Sequence, residues 1–360
     1  MRKILFLCCI CLLSITHILS QDEHFTRYDF APTFFNPANT GNFYGSYRIG
    51  VLYREQARTW FKAEDQGSIN PDTNQPFFKP VSSTYTTPTL FIDANFGLGF
   101  SAGDWSSFGL TMLSDKSGDG ALSNSSYMLN AAYHWSLDLK GKNVLTLGAQ
   151  YGRNSIAVDG NNLNTETEFL NQVLDPLQLG VDGKSEFNTS YSDVNAGVTL
   201  VSKIGKTSKL ELGAAFGHLL PSSFEIQNDS IANIENDIDP RINVHARLKF
   251  LATDGIALEP VIYYSTAGSA SNLQIQLNSA FRLNENSAFT AGLGYRLGDA
   301  AQILVGMNYG LWKVGIGYNM TVSRAADANS GVGGYELGIS RIIFREKKPQ
   351  IDPTLLCPKL

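Results

Sequence analysis

Gly99-Phe100-Ser101-Ala102-Gly103 has the G-x-S-x-G spacing of a nucleophile elbow. In that device a sharp strand-to-helix turn exposes a serine beside oxyanion-stabilising amides. Here the residues after Gly103 again alternate like a strand, and in a chain with 33 glycines chance is the better account. Gly183-Lys184-Ser185 has the ending of a phosphate-binding loop, but the position that needs the first glycine holds Gln178. Gly97-Leu98-Gly99 and Gly292-Leu293-Gly294 lack a correctly spaced third glycine and fall in strand patterns, where glycine relieves crowding or marks close backbone approach. Asp115-Lys116-Ser117-Gly118-Asp119-Gly120 offers oxygens to calcium without the regular ligand alternation or the later bidentate Glu. His134, His218 and His245 show no metal-ligand spacing. The chain therefore reads as non-enzymatic, with no cofactor and no metal.

The elements around these residues carry the stronger signal, which has period two. Ile242, Val244, Ala246, Leu248 and Phe250 alternate with Asn243, His245, Arg247 and Lys249, and Leu273, Ile275 and Leu277 alternate with Gln274, Gln276 and Asn278. Such alternation marks a strand with one apolar and one polar face. Fourteen segments read this way: 45–58, 82–96, 106–115, 125–138, 143–157, 191–204, 208–219, 241–253, 256–266, 271–283, 287–297, 301–311, 313–323 and 333–344. Most reach the about 9–11 residues that a tilted strand needs to cross a bilayer. Turns such as Gly205-Lys206-Thr207, Thr253-Asp254-Gly255 and Asn284-Glu285-Asn286 follow even-numbered segments, whereas residues 59–81, 158–190 and 220–240 form long polar connections after odd ones. That sorting is the layout of an outer-membrane barrel, with short turns in the periplasm and long loops outside. The fold class expected is all-β, a transmembrane antiparallel β-barrel of about fourteen strands, both termini periplasmic. Tyr53, Trp105, Trp135, Tyr151, Tyr264, Trp312 and Tyr335 fall near strand ends and suit interfacial girdles. Asn243, His245, Arg247, Lys249, Gln274, Gln276, Asn278 and Arg282, with Glu211 and Glu259, fall on the face expected to line the lumen.

Composition agrees with export to a membrane. Residues 1–20 combine a basic Met1-Arg2-Lys3 with an apolar run and end near Ser20, as a cleaved signal peptide does. Cleavage removes three of four cysteines, leaving Cys357 and no possible intramolecular disulfide. It shifts the net charge from −5 to −7 by removing Arg2 and Lys3, a balance that gives no reason to expect nucleic acid. Charged residues make up only 17 % of the chain. No apolar run after residue 20 approaches the about 20 residues of a spanning helix, which excludes a helical membrane protein. The chain divides into the signal at 1–20, an aromatic and proline-rich segment at 21–44, the barrel at 45–344 and a polar tail at 345–360. A short helix is expected at 165–177.

The 21–44 segment has neither helical nor strand periodicity. Asp22, Phe25, Tyr28, Phe30 and Pro32, followed by Asn36-Pro37-Ala38 and Gly41, resemble the start of the PorP/SprF family, with its N-P-A-x-x-G pattern. The first strand, Arg48-Ile49-Gly50-Val51-Leu52-Tyr53-Arg54-Glu55-Gln56, is similar to the family's R-x-x-x-L-Y-R-x-Q. Ser114 to Gly118, Tyr335 to Ser340 and the ending Cys357-Pro358-Lys359-Leu360 are also similar, although Lys359 and Leu360 depart from the family's C-P-R-F-like tail. The resemblance implies an outer-membrane protein of the type IX secretion system. Such a protein partners the secretion machinery and the C-terminal domain of a secreted cargo, such as a gliding adhesin, for export or surface anchoring. The alternative is a passive channel or small-solute transporter, motivated by the mixed-charge lumen. Pro32 and Pro37 cannot donate to a ladder, so the segment is not a further strand. Phe30, Phe34 and Phe35 need an apolar partner, so the motif residues Phe30, Pro32, Phe34, Phe35, Asn36, Pro37, Ala38 and Gly41 read either as a plug in the periplasmic mouth or as a docking peptide for the machinery.

Overall fold

A computed structural model of the chain describes residues 24–56, 85–101, 103–117, 122–138, 141–159, 186–220, 223–228, 231–323, 326 and 331–345. The signal segment, the connection at 59–81, most of 158–190 with the helix expected at 165–177, Gly183-Lys184-Ser185, Gly118 to Gly120 and the tail with Cys357 lie outside these residues.

Among the described residues sixteen strands follow one another: β1 (Tyr47–Gln56), β2 (Tyr85–Phe96), β3 (Trp105–Ser117), β4 (Leu122–Ser136), β5 (Asn143–Asp159), β6 (Glu186–Ile204), β7 (Ser208–Gly217), β8 (Ser223–Asn228), β9 (Ile231–Asp237), β10 (Arg241–Thr253), β11 (Ile256–Ala267), β12 (Ala270–Asn284), β13 (Ser287–Arg296), β14 (Ala300–Tyr309), β15 (Trp312–Thr321) and β16 (Val332–Ile343). Fourteen of them close an antiparallel barrel in which each strand pairs with its neighbour in sequence order, β7 pairs with β10, and β1 pairs with β16 from Tyr47↔Ile343 to Glu55↔Tyr335. β8 and β9 form a separate hairpin within the stretch that the sequence assigns to a loop. Closure gives every barrel strand a partner on both sides and leaves no open sheet edge, as a hydrocarbon environment requires.

The two faces of each strand divide as period two demands. On β15, Trp312, Val314, Ile316, Tyr318 and Met320 point outward and are exposed, while Gly315, Gly317, Asn319 and Thr321 are buried inside. On β13, Phe289, Leu293 and Tyr295 are exposed outside and Arg296 is buried inside. Apolar side chains exposed over the outer wall are the belt that lipid solvates. Tyr151, Tyr264, Trp312 and Tyr335 belong to that outer face. Trp105 does not: it is 2 % exposed, turned inward and stacked on the His134 ring at 4.4 Å.

The connections at one end, such as Gly205–Thr207 and Gly310–Leu311, are tight, and both the start of β1 and the end of β16 lie there. We call this the short-turn end and the opposite one the long-loop end.

Candidate functional site: a lumen filled by the N-terminal segment

Residues 24–46 lie inside the barrel. The sequence reads the segment either as a plug in the periplasmic mouth or as a docking peptide; the structure runs it from the short-turn end, where Tyr47 begins β1, up to His24–Arg27 in the long-loop half. The reason is physical. The segment has no regular helix or ladder: short turns satisfy many of its own amides, and the inner wall supplies partners one by one for others, among them those of Thr26, Arg27 and Gly41. It folds as three short turns, Tyr28–Phe30, Pro32–Phe35 and Pro37–Asn39, with Pro32 and Pro37 at first positions where no amide is needed.

The N-P-A-x-x-G residues each have a distinct task. Asn36 caps the last turn by accepting from the Ala38 amide at 2.9 Å. Its Nδ2 donates to the Val198 carbonyl at 3.2 Å, to Thr199 Oγ1 at 3.2 Å and to the Ala214 carbonyl at 3.3 Å, on β6 and β7. Pro37 and Ala38 lie against Gly148 of β5, so closely that a Cβ there would overlap their backbone. Gly41 adopts φ +74, a left-handed conformation suited to glycine, and its amide donates to Asp93 Oδ2 at 2.7 Å. Arg48 grips the same carboxylate at 2.6 Å and donates to the Asn39 carbonyl at 3.1 Å.

The aromatic residues form the core of the plug. Phe25, Tyr28, Phe30 and Phe35 are buried with Leu52, Leu113, Val261 and Tyr263 of the wall. Phe35 packs at 4.5 Å from Tyr28 and 5.1 Å from Tyr263. Phe34 is half-buried against Phe25, with Arg241 at 5.1 Å from its ring. Phe30 lies against Gly338 of β16, where a Cβ would strike the ring, and beneath the Arg27 guanidinium at 4.7 Å.

Charge fixes the upper end. Glu336 of β16 is fully buried and accepts the amides of Thr26 and Arg27, both at 2.7 Å, with Arg54 at 3.8 Å. Thr26 Oγ1 donates to Asn319 at 2.6 Å. Asp29 sits between Arg27 at 3.0 Å and Lys313 at 2.7 Å. Burial pushes the Asp29 carboxyl up, but these two cations outweigh it and hold the group well below the usual carboxylate range.

The lumen residues singled out from sequence fall into three groups. Asn243 donates to the Phe35 carbonyl at 2.8 Å, Gln276 donates to the Thr26 carbonyl at 2.8 Å, and Gln274 accepts from Gln302 at 2.9 Å beneath them. His245 packs on Phe35 with Nε2 at 3.5 Å from Glu211. Arg247 and Lys249 instead line a cavity at the short-turn end. Asn278 is half-buried opposite Gly292, and Arg282 is exposed at the rim, away from the plug. Sequence reasoning missed Glu336, Asp93, Gln150, Thr111 and Gln302. Each is one polar residue on an inward face that its strand shares with other polar or small residues, with nothing local to mark it as a contact of a distant segment.

The Gly99–Gly103 stretch connects β2 to β3, with no helix among its described residues. A different Ser–His pair does come together: Ser107 Oγ lies 3.0 Å from His134 Nε2. Ser107 donates to Asn95 Oδ1 at 2.7 Å and both residues are almost wholly buried, so the pair is a structural knot beneath Trp105. Among the described residues no group of three or more His, Cys, Asp or Glu is placed to hold a metal.

These features define an outer-membrane β-barrel whose lumen is occupied by its own N-terminal segment. Residues 18–339 match the model of the family described as type IX secretion system membrane protein PorP/SprF, and the chain belongs to that family. No curated protein matches the chain. Among solved structures it is similar to the Ralstonia pickettii toluene transporter TbuX, at 10 % identity and TM-score 0.50, covering 88 % of this chain and 94 % of that one. A Pseudomonas aeruginosa FadL homologue is similar at 8 % identity and TM-score 0.49, covering 86 % and 93 %. The translocator domain of the Neisseria meningitidis autotransporter NalP is similar at 12 % identity and TM-score 0.41, covering 82 % and 88 %. At such identities the likeness concerns the barrel fold.

Proposed function

We propose that this protein is a non-enzymatic barrel of the type IX secretion system that assists the secretion or surface anchoring of a partner protein. A gliding adhesin, engaged through its C-terminal domain, is the kind of cargo that fits. In this reading lipid surrounds the apolar belt, the short-turn end faces the periplasm and the secretion machinery, and the long connections face outward as a recognition surface. The observation that carries it is the filled lumen in a member of this family: residues 24–46 engage inner residues of β1, β2, β3, β5, β6, β7, β10, β12, β15 and β16, which leaves the protein's two ends as its working surfaces. Deleting the gene should abolish surface display of the dependent secreted protein; unchanged display and motility would remove the proposal.

The same filling disfavours a passive channel. Purified barrel in planar bilayers should be electrically silent. Stable currents through the intact protein would restore the channel reading.

A further inference from the structure

The short-turn end of the lumen contains a cavity of about 190 Å³ between the underside of the N-terminal segment and the inner wall. Five lining side chains are cations, Arg48, Lys209, Arg247, Lys249 and Lys313, and three are carboxylates, Asp29, Glu211 and Glu259. Their ion pairs are of two kinds. Arg48–Asp93 at 2.6 Å and Lys313–Asp29 at 2.7 Å are close contacts that fasten the plug to the wall or brace its entry. The others are loose. Lys209 Nζ stands 3.6 Å from Glu211, and Arg247 stands 3.7 Å from Glu211 and 3.8 Å from Glu259.

Donor capacity is left over. Arg247 donates to Tyr263 Oη at 3.0 Å, yet its Nε is buried with no hydrogen-bond partner. Lys249 has no ion pair among the described residues. Lys209 and Arg247 thus share two carboxylates, neither at hydrogen-bonding distance, and Lys249 shares in neither. Barrel walls keep the cavity partly out of bulk water, where attraction to a negative charge is stronger than at an open surface.

We propose that this cavity is a binding site for a compact anion, a carboxylate or phosphate group, held by Lys209, Arg247 and Lys249. The guanidinium offers a planar fork suited to two oxygens, and the two lysines add mobile point charges. The site stands independently of the secretion role, since it rests on the cavity and its unpaired donors alone.

Calorimetry on the full-length barrel in non-ionic micelles tests it with three probes. These are inorganic phosphate, a short peptide with a free C-terminal carboxylate, and the same peptide amidated. Phosphate or the free-acid peptide should bind at low ionic strength and weaken as salt rises from about 0.05 M to about 0.5 M, through screening. The K209Q/K249Q double variant should bind at least about tenfold more weakly while keeping its heat-modifiable gel shift, a loss of about 1.4 kcal/mol. Lys249→Gln alone, which breaks no ion pair, should move in the same direction and keeps the test valid if the double variant misfolds. Binding of phosphate alone identifies a free ion as the ligand; binding of the free-acid peptide as well identifies a polypeptide terminus as a second source. The proposal is overturned if neither anion binds, if the amidated peptide binds as well as the free acid and phosphate does not bind, or if the lysine variants bind like the parent.

Discussion

The outer and inner faces of the same strands obey different rules. Outside, β15 presents Trp, Val, Ile, Tyr and Met in turn, and any apolar side chain would satisfy lipid at most of these positions. Inside, one residue away, Gly315 is glycine because the Arg27 guanidinium occupies the space of its Cβ, and Asn319 is there to meet Thr26. A fluid solvent specifies only a class of side chain, whereas a folded segment specifies individual atoms. The inner wall is thus one half of a packed core whose other half is residues 24–46.

That contrast can be broken at neighbouring positions. Gly148→Leu drives a side chain into the Pro37–Ala38 backbone and should cost about 3 kcal/mol or more by overpacking, enough to lose the heat-modifiable form. Ala149→Leu, one residue along and exposed on the outer face, should leave the gel shift intact. On the lipid side, Leu293→Arg should cost about 2–4 kcal/mol if the residue lies at the bilayer midplane, read as a drop in the urea midpoint in lipid vesicles. Leu293→Ile should cost less than about 1.5 kcal/mol, because lipid is indifferent to shape. Asn36→Ala removes the cap on Ala38 and three donations to β6 and β7, and should lower stability by about 1–3 kcal/mol in the same assay.

The smallest effect concerns acid. The Asp29 carboxyl is depressed in the folded state, so its contribution is complete above the ordinary aspartate value of about 3.9 and is lost only as pH falls further toward the folded value. The stability difference between the parent and Asp29→Asn should be constant from about pH 8 to about pH 5 and shrink below about pH 4. A difference that grows on acidification would contradict the Arg27–Asp29–Lys313 arrangement.

All fourteen barrel strands were legible because lipid outside and polar packing inside impose a strict alternation over ten or more residues. Their ends were less so. β5 and β6 continue to Asp159 and back from Glu186, beyond the expected 157 and 191, through residues where the alternation fades. The β8–β9 hairpin, six and seven residues long and rich in Asn and Asp, reads as loop. Trp105 shows how a single aromatic misleads: its type suits an interfacial girdle, but its parity with Ser107 and Thr111 turns it inward. The N-terminal motif was visible as a pattern, and its proline positions excluded a strand. Its position within the lumen was not, because the residues that hold it are scattered singly along nearly the whole barrel.

The seam between β1 and β16 joins the first and last strands of the barrel, nine residue pairs long. The segment it encloses comes immediately before β1. A sheet that curls from β1 through β16 with that segment already against its concave side needs only to zip the β1–β16 ladder to imprison it. The cylinder would then be cast around its filling, with the earliest stretch of the chain serving as the mandrel on which the wall is wound.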